Sequence, residues 1–430
     1  MTNNRESRRD FLNAALAAGG LTMVGDVLAE ERKKISPNER LNVAVIGVGG
    51  RGAANLGDVG HENIVALCDV DHNHLDKALA GFKSAKGYAD YREMLAAHPN
   101  LDAVVVSTPD HTHAVAAAAA MRLGKHVYCE KPLTHTVSET RALRMMAKEG
   151  RLVTQLGTQI HAGENYRRVV GIIQSGAIGA VKTVHVYFGG APLVFKSATP
   201  KDPPKALAYD LWLGPLEPSP YIPEQGHFNW RYWWKFGNGV LGDFGCHFMD
   251  LAFWALELGA PKSVASTGAK NHDGVNDVPA TQMVEYRVDG KFGETLLTWR
   301  HGSKQPAEAK GLGFGSGVLF IGEKGMLVAD YGHYRLLPEE KFKDYQAPPI
   351  VKSIGHHKEW LAAIRNGGPT TCNFEYSGNL TEAVLLGNAA LRGAPGQTLA
   401  WDAVALQFSG EGASEANRIV RHEYRTGWSL

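Results

Sequence analysis

Between the apolar run Leu41 to Val48 and a helical pattern opening at Gly50 lies Gly47-Val48-Gly49-Gly50-Arg51-Gly52, and no other stretch constrains the chain as tightly. Glycines at the first, third and sixth places suit a strand that turns sharply into a helix. Gly47 permits the turn, Gly49 lets a pyrophosphate approach the backbone, and Gly52 lets helix and strand pack closely. Gly50 and Arg51 open the helix, whose first amides face the negative charge. The next apolar run, Ile64 to Val70, carries Asp69 near its end, placed to accept hydrogen bonds from an adenosine ribose and to repel a 2′-phosphate. The pattern predicts a dinucleotide site that takes NAD in preference to NADP. Arg51 could assist a phosphate there, and Asp71 competes with Asp69 for the ribose.

Beyond this turn, strand-like and helical patterns alternate: helices around Leu75 to Phe82 and Tyr91 to Ala97, strand Val104 to Ser107, helix Ala114 to Leu123, strand His126 to Cys129, helix Val137 to Lys148 and strand Leu152 to Leu156. Alternation of this kind predicts a mostly parallel, doubly wound sheet, so residues 41–157 read as a Rossmann domain within an α/β chain. The order then changes. Helix Tyr166 to Ser175 and strand Val181 to Phe188 precede a Pro- and Trp-rich excursion from Ala191 to Phe236. A helix follows from Asp243 to Leu258, then strands at Thr281 to Val288, Glu294 to Trp299, Gly317 to Ile321 and Gly325 to Ala329. Clustered strands with few helices between them predict an open, largely antiparallel sheet. Residues 158–400 therefore read as an α+β domain for substrate binding and oligomerisation. Two late helices, near His357 to Ile364 and Leu380 to Leu391, lead to an irregular tail, 401–430, packed on the body.

The first thirty residues stand apart. Ser7-Arg8-Arg9-Asp10-Phe11-Leu12, ahead of a weakly apolar Ala/Gly stretch, resembles a bacterial twin-arginine export signal, with 31–40 as a polar linker. The expectation is a periplasmic protein handled by the twin-arginine machinery. Cys68, Cys129, Cys246 and Cys372 are scattered and expected to be free, buried thiols. A net charge of +1 offers no global field to hold nucleic acid or an anionic membrane. No apolar run approaches the ~20 residues that span a bilayer.

Three further segments carry a resemblance: Ser107-Thr108-Pro109-Asp110-His111-Thr112-His113, Cys129-Glu130-Lys131-Pro132-Leu133, and Gly242-Asp243-Phe244-Gly245-Cys246-His247-Phe248-Met249-Asp250. In this order the chain resembles the Gfo/Idh/MocA family of sugar and cyclitol oxidoreductases, over roughly Leu41 to Gly393. The resemblance implies a nicotinamide lying between the two domains, with Lys131, Asp243 and His247 lining the reacting carbon. It places Ser107, Thr108, Pro109, His113, Glu130 and Lys131 beside the cofactor, and a homo-oligomer is the expected assembly.

The residues read independently give a compatible chemistry. Oxidising a secondary alcohol needs a base for the hydroxyl proton while hydride leaves, and His247 suits that role. Lys131 can polarise the oxygen or share the proton. Asp243 and His247 lie four apart and share a helix face, with Asp243 expected at the helix N-terminus, to orient His247 or hold a neighbouring hydroxyl. Asp250 extends the face, but hydride transfer needs no metal and none is expected. Gln159 and His161 are candidates near the nicotinamide. Tyr166, His161, Trp230, His227 and His301 are candidate substrate contacts, with His357 a further one. Five of the nine tryptophans fall between Trp212 and Trp254, where they either stack on sugar rings or build core. The predicted activity is NAD-dependent hydride transfer at a sugar, cyclitol or glycoside hydroxyl. Two alternatives are a redox glycosidase, which oxidises, eliminates and re-reduces, and a non-catalytic dinucleotide or sugar sensor.

Overall fold

The computed structural model describes residues 39–430, so the twin-arginine segment and most of the linker lie outside the described residues. The first domain alternates β1 (Asn42–Ile46), α1 (Gly50–Val59), β2 (Asn63–Cys68), α2 (His72–Gly81), β3 (Lys86–Tyr88), α3 (Tyr91–Ala97), β4 (Ala103–Val106), α4 (Asp110–Arg122), β5 (His126–Cys129), α5 (Val137–Glu149) and β6 (Thr154–Leu156). The six strands are parallel in the order β3-β2-β1-β4-β5-β6. Val43 to Ile46 and Ala103 to Val106 are almost wholly buried, as strands covered on both faces must be. The order reverses beside β1, where a doubly wound sheet opens a crevice at its strand ends.

The second domain holds α6 (Glu164–Gln174), β7 (Val181–Phe188), α7 (Tyr209–Leu213), α8 (Gly239–Leu256), β8 (Pro261–Ala269), β9 (Thr281–Gly290), β10 (Gly293–His301), β11 (Gly317–Gly322), β12 (Gly325–Ala329) and β13 (Tyr334–Leu337). It continues through α9 (Glu339–Phe342), α10 (His356–Asn366), α11 (Phe374–Gly393), β14 (Thr398–Asp402), β15 (Gln407–Ser409) and α12 (Ala413–Val420). Nine strands run β13-β12-β11-β7-β10-β9-β8-β14-β15, antiparallel except where β7 meets β10. Val184, Tyr286, Trp299 and Phe320 from this sheet pack with Phe253 of α8 and Leu386 of α11 in one core. All four cysteines are free and buried.

Three features depart from the sequence reading. Strands β8, β13, β14 and β15 and helix α12 were not expected, so the region after Trp401 is a hairpin and helix rather than an irregular tail. β14 alternates exposed and buried over only five residues, too short a pattern to stand out. Helix α8 starts at Gly239, not Asp243: Gly239 sits at φ +62°, and the Asn238 carbonyl accepts from the Gly242 amide at 3.0 Å. Asp243 therefore lies in the second turn, away from the helix end. Finally, residues 356–374 return to the first domain. Trp360, Leu361 and Ile364 of α10 pack with Val43, Val45 and Tyr128. Thr370 Oγ1 donates to the Thr154 carbonyl at 2.6 Å, and the Leu156 amide donates to the Cys372 carbonyl at 2.9 Å, closing the β6 edge.

Candidate active site

The glycine turn comes first because everything else is arranged around it. Gly47 sits at φ +80°, where a Cβ would come within 2.7 Å of the Ser107 carbonyl oxygen, and a Cβ on Gly52 would collide with the Gly47 carbonyl oxygen. Only glycine leaves that backbone bare. The Gly47 amide donates to Cys68 at 2.8 Å, and Asp69 Oδ2 accepts from the Val48 amide at 2.8 Å. Asp69 Oδ1 accepts from the Asp71 amide at 2.9 Å. Burial pushes the Asp69 carboxyl up, against these two amides, which favour its ionised form. Asp71 caps α2 through the Asn73 amide and lies 3.3 Å from His227 Nε2.

At the end of β5, Glu130 accepts from Gln159 Nε2 at 2.7 Å, Asn55 Nδ2 at 2.9 Å and Arg51 Nε at 3.3 Å. Burial opposes its ionisation, yet Arg51 and these donors hold the carboxyl below its usual range. Lys131 Nζ donates to the Asp243 carbonyl at 2.8 Å and to its carboxylate. Arg231 Nε donates to the same carboxylate oxygen at 3.2 Å. Against burial, the two cations hold Asp243 well below the carboxylate range. The carboxylate therefore fixes Lys131 rather than orienting the His247 ring. Burial, then the Lys131 charge, lowers His247 to about 3, so its imidazole is neutral at neutral pH. His247 Nδ1 has no hydrogen-bond partner among the described residues.

Lys131, His247, the glycine turn and Asp69 line one cavity of about 640 Å³, a size suited to a small-molecule site. Ser107, Thr108, Pro109, Glu130 and Gln159 also line it. Thr108 Oγ1 is a buried atom with no hydrogen-bond partner among the described residues. A bare glycine cradle, an acid at the second strand and the unpartnered Thr108 hydroxyl along one channel fit a dinucleotide. His113 is placed differently: its ring bridges the Thr108 and Pro132 carbonyls at 2.7 and 2.8 Å, tying two motif loops together behind the cavity.

Of the substrate candidates, His227 and Trp230 line the cavity. The others do not reach it. His161 is wholly buried, stacked on Trp254 at 3.7 Å and bonded to Asp250 at 3.0 Å. Tyr166 is buried with its hydroxyl on the His247 carbonyl at 3.1 Å, and His301 accepts from Trp299 Nε1 at 3.1 Å inside the sheet core. His357 stacks on Tyr128 at 4.6 Å and meets Asn55, latching α10 to α1. In each case residue type was informative and direction was not. Trp212, Trp230 and Trp233 form a small core with Phe236, so most of the tryptophan cluster is packing. Arg231 was missed. Its guanidinium lies 4.2 Å over Trp230 and 4.4 Å over Phe228, and an arginine amid those aromatics was the only signal.

Two family models match the chain: the oxidoreductase family's NAD-binding Rossmann fold over residues 41–158, and its C-terminal alpha/beta domain over residues 181–299. Over 177 residues the chain is 28% identical to inositol 2-dehydrogenase of Salmonella paratyphi B, covering 40% of this chain and 52% of that protein. It is 30% identical over 195 residues to levoglucosan dehydrogenase of Pseudarthrobacter phenanthrenivorans, covering 44% and 40% respectively. The chain thus spans about half the length of the curated relatives it matches. The crystal structure of GenD2 from gentamicin A biosynthesis, in complex with NAD, shares the fold with a TM-score of 0.61 at 20% identity, covering 85% of this chain and 97% of that one.

Proposed function

Because the chain belongs to the Gfo/Idh/MocA oxidoreductase family, with its NAD-binding Rossmann domain, we propose that it removes hydride from a hydroxyl carbon of a sugar, cyclitol or glycoside. The observation that carries this reading is the neutral His247 beside the Lys131 ammonium in the cavity that begins at the glycine turn. The names of the inositol and levoglucosan dehydrogenases support the substrate class.

Gly47, Gly49 and the α1 amides would hold the pyrophosphate, and Asp69 the ribose. The bound nicotinamide supplies the hydride acceptor. Lys131, fixed by Asp243, donates a hydrogen bond to the substrate oxygen and stabilises negative charge as it develops there. His247, whose neutral ring lines the same cavity, receives the hydroxyl proton. Arg231 keeps Asp243 ionised, so Lys131 stays in place through the cycle.

The test is a panel of cyclitols, sugars and aryl glycosides given to purified protein, scoring NADH absorbance, keto product and released aglycone. A keto product that requires Lys131 is the expected outcome. Aglycone release without net NADH would favour the redox glycosidase, and binding without turnover of any substrate would favour the sensor. We extend the proposal to periplasmic export, resting on Arg8-Arg9 ahead of Phe11-Leu12. Replacing both arginines by lysine should leave the precursor in the cytoplasm, and undiminished delivery would refute it.

A further inference from the structure

Charge is divided unevenly along the cavity. Near the glycine turn its wall carries Asp69 and Asp71, and at the reacting end it carries Lys131 and Arg231. The two acids are engaged where they stand, Asp69 on two backbone amides and Asp71 on the Asn73 amide. Glu130 and Arg51, also in the wall, bond each other at 3.3 Å. At the reacting end two cations share a single carboxylate, that of Asp243, and one positive charge is left over. Asp110 is the other acid nearby, but it is bonded to Asn238 and pushed up to about 7 by burial. Below that pH it carries a proton and cancels nothing.

Geometry decides which cation holds the surplus. Lys131 is committed, its ammonium donating to both the carbonyl and the carboxylate of Asp243. Arg231 is only partly so. Its Nε donates to Asp243 at 3.2 Å and its Nη1 to the Phe228 carbonyl at 3.0 Å, while its Nη2 has no hydrogen-bond partner among the described residues. The guanidinium lies over the Trp230 and Phe228 rings in the short 3₁₀ helix His227–Tyr232, with 18% of the side chain exposed where it lines the cavity. A planar fork held this way is set in advance for an oxygen ligand. A sugar hydroxyl would accept the free N–H and leave the charge unbalanced in a half-closed site, which is costly. A carboxylate accepts the same bond and balances the charge as well.

We propose that Arg231 forms an anion subsite beside the reacting carbon, and that the substrate is a sugar acid carrying a carboxylate near the CH–OH that is oxidised. The proposal rests on the hydride-transfer reading above and narrows its substrate class. The carboxylate takes no part in the bond changes. Hydride leaves the CH–OH carbon for the nicotinamide, the hydroxyl proton goes to His247 and a C=O remains, with the carboxylate bonded to Arg231 throughout. A single negative charge matches the surplus, whereas a phosphate dianion exceeds it.

The experiment compares matched ligands on the full chain saturated with NADH, at about pH 6, by calorimetric titration. The pairs are methyl glucoside with the methyl glycoside of glucuronate, and methyl galactoside with the methyl glycoside of galacturonate. In at least one pair the acid should bind about ten- to a hundredfold more tightly, the scale of a charge-assisted hydrogen bond, and added salt should shrink the gap. Arg231→Gln should abolish the gap, and Arg231→Lys, which keeps the charge but loses the fork, should retain part of it. Acids no tighter than their neutral partners in both pairs would overturn the proposal. A gap that survives Arg231→Gln would overturn it too, by moving the recognition to Lys131. A methyl glucoside phosphate bound more tightly than either acid would overturn it in this form. Absence of NADH formation from every sugar, cyclitol and glycoside supplied with NAD would count against the hydride-transfer reading instead, and the binding gap would still decide the anion subsite.

Discussion

The two ends of the cavity are held by opposite means. At the glycine turn the contacts are backbone: bare Cα atoms, amides, and a carboxylate that braces the turn. At the reacting end they are side-chain charges: Asp243 held by Lys131 and Arg231, beside a neutral imidazole. The first arrangement rejects added atoms and the second responds to added or removed charge. Holding the cofactor and carrying out the chemistry should therefore be separable by mutation.

The largest expected effect comes from the charged end. Lys131→Ala and His247→Ala should each lower turnover about 10²- to 10⁴-fold, the scale of a lost acid–base or polarising group. Bound NAD per chain should stay near wild type in the same preparations. A parallel loss of cofactor would show that the ends are not independent. Next, Gly52→Ala forces a Cβ against a backbone oxygen that cannot step aside, and overpacking of that scale should weaken NAD about 10- to 100-fold. Its residual turnover at saturating cofactor should be nearly unchanged, giving a KM effect where Lys131→Ala gives a kcat effect.

A smaller effect is expected at Arg231. Arg231→Gln removes one of the cations holding the Asp243 carboxyl down, so that carboxyl should titrate at higher pH. The acid limb of kcat/KM should move upward, with turnover at neutral pH falling about tenfold or less. An unmoved limb would leave Lys131 as the sole partner that matters.

The smallest concerns stability. Asp110 is buried behind the charged cluster, bonded to Asn238 at 3.1 Å, with Oδ1 unpartnered among the described residues. Burial raises its carboxyl from 3.8 to about 7. Between those values the folded state holds a proton that the unfolded state has lost, so the carboxyl costs progressively more stability as pH rises from about 4 to about 7. Asp110→Asn should raise Tm relative to wild type at pH 8 and narrow that gain toward pH 4. An equal gain at both would assign the effect to packing.

What the sequence made legible follows from how local each device is. The glycine turn sits inside one strand end and one helix, so its spacing exposes it, whereas Glu130-Lys131 and the Asp243/His247 pair are short local motifs that stand out through the family resemblance. Arg231 and Asp243 meet only because the excursion folds back across α8, and no short pattern records that. Helix α8 hid its start because Gly239 and Gly242 read as loop, although α8 carries them as part of a closely packed helix. His161 and His301 share the chemistry of His247 but point into core, a difference set by packing partners far away in the chain.

The return of residues 356–374 gives the first domain a timetable. Trp360, fully buried against Tyr128, and Phe374, fully buried near β6, belong to its core, yet both are synthesised after almost the whole second domain. At ordinary translation speeds the interval from residue 157 to residue 374 is roughly ten to forty seconds. Throughout it the nascent parallel sheet lacks the aromatic plug over β1 and the strip along β6. A chain halted at residue 157 would thus emerge with a sticky, half-roofed sheet.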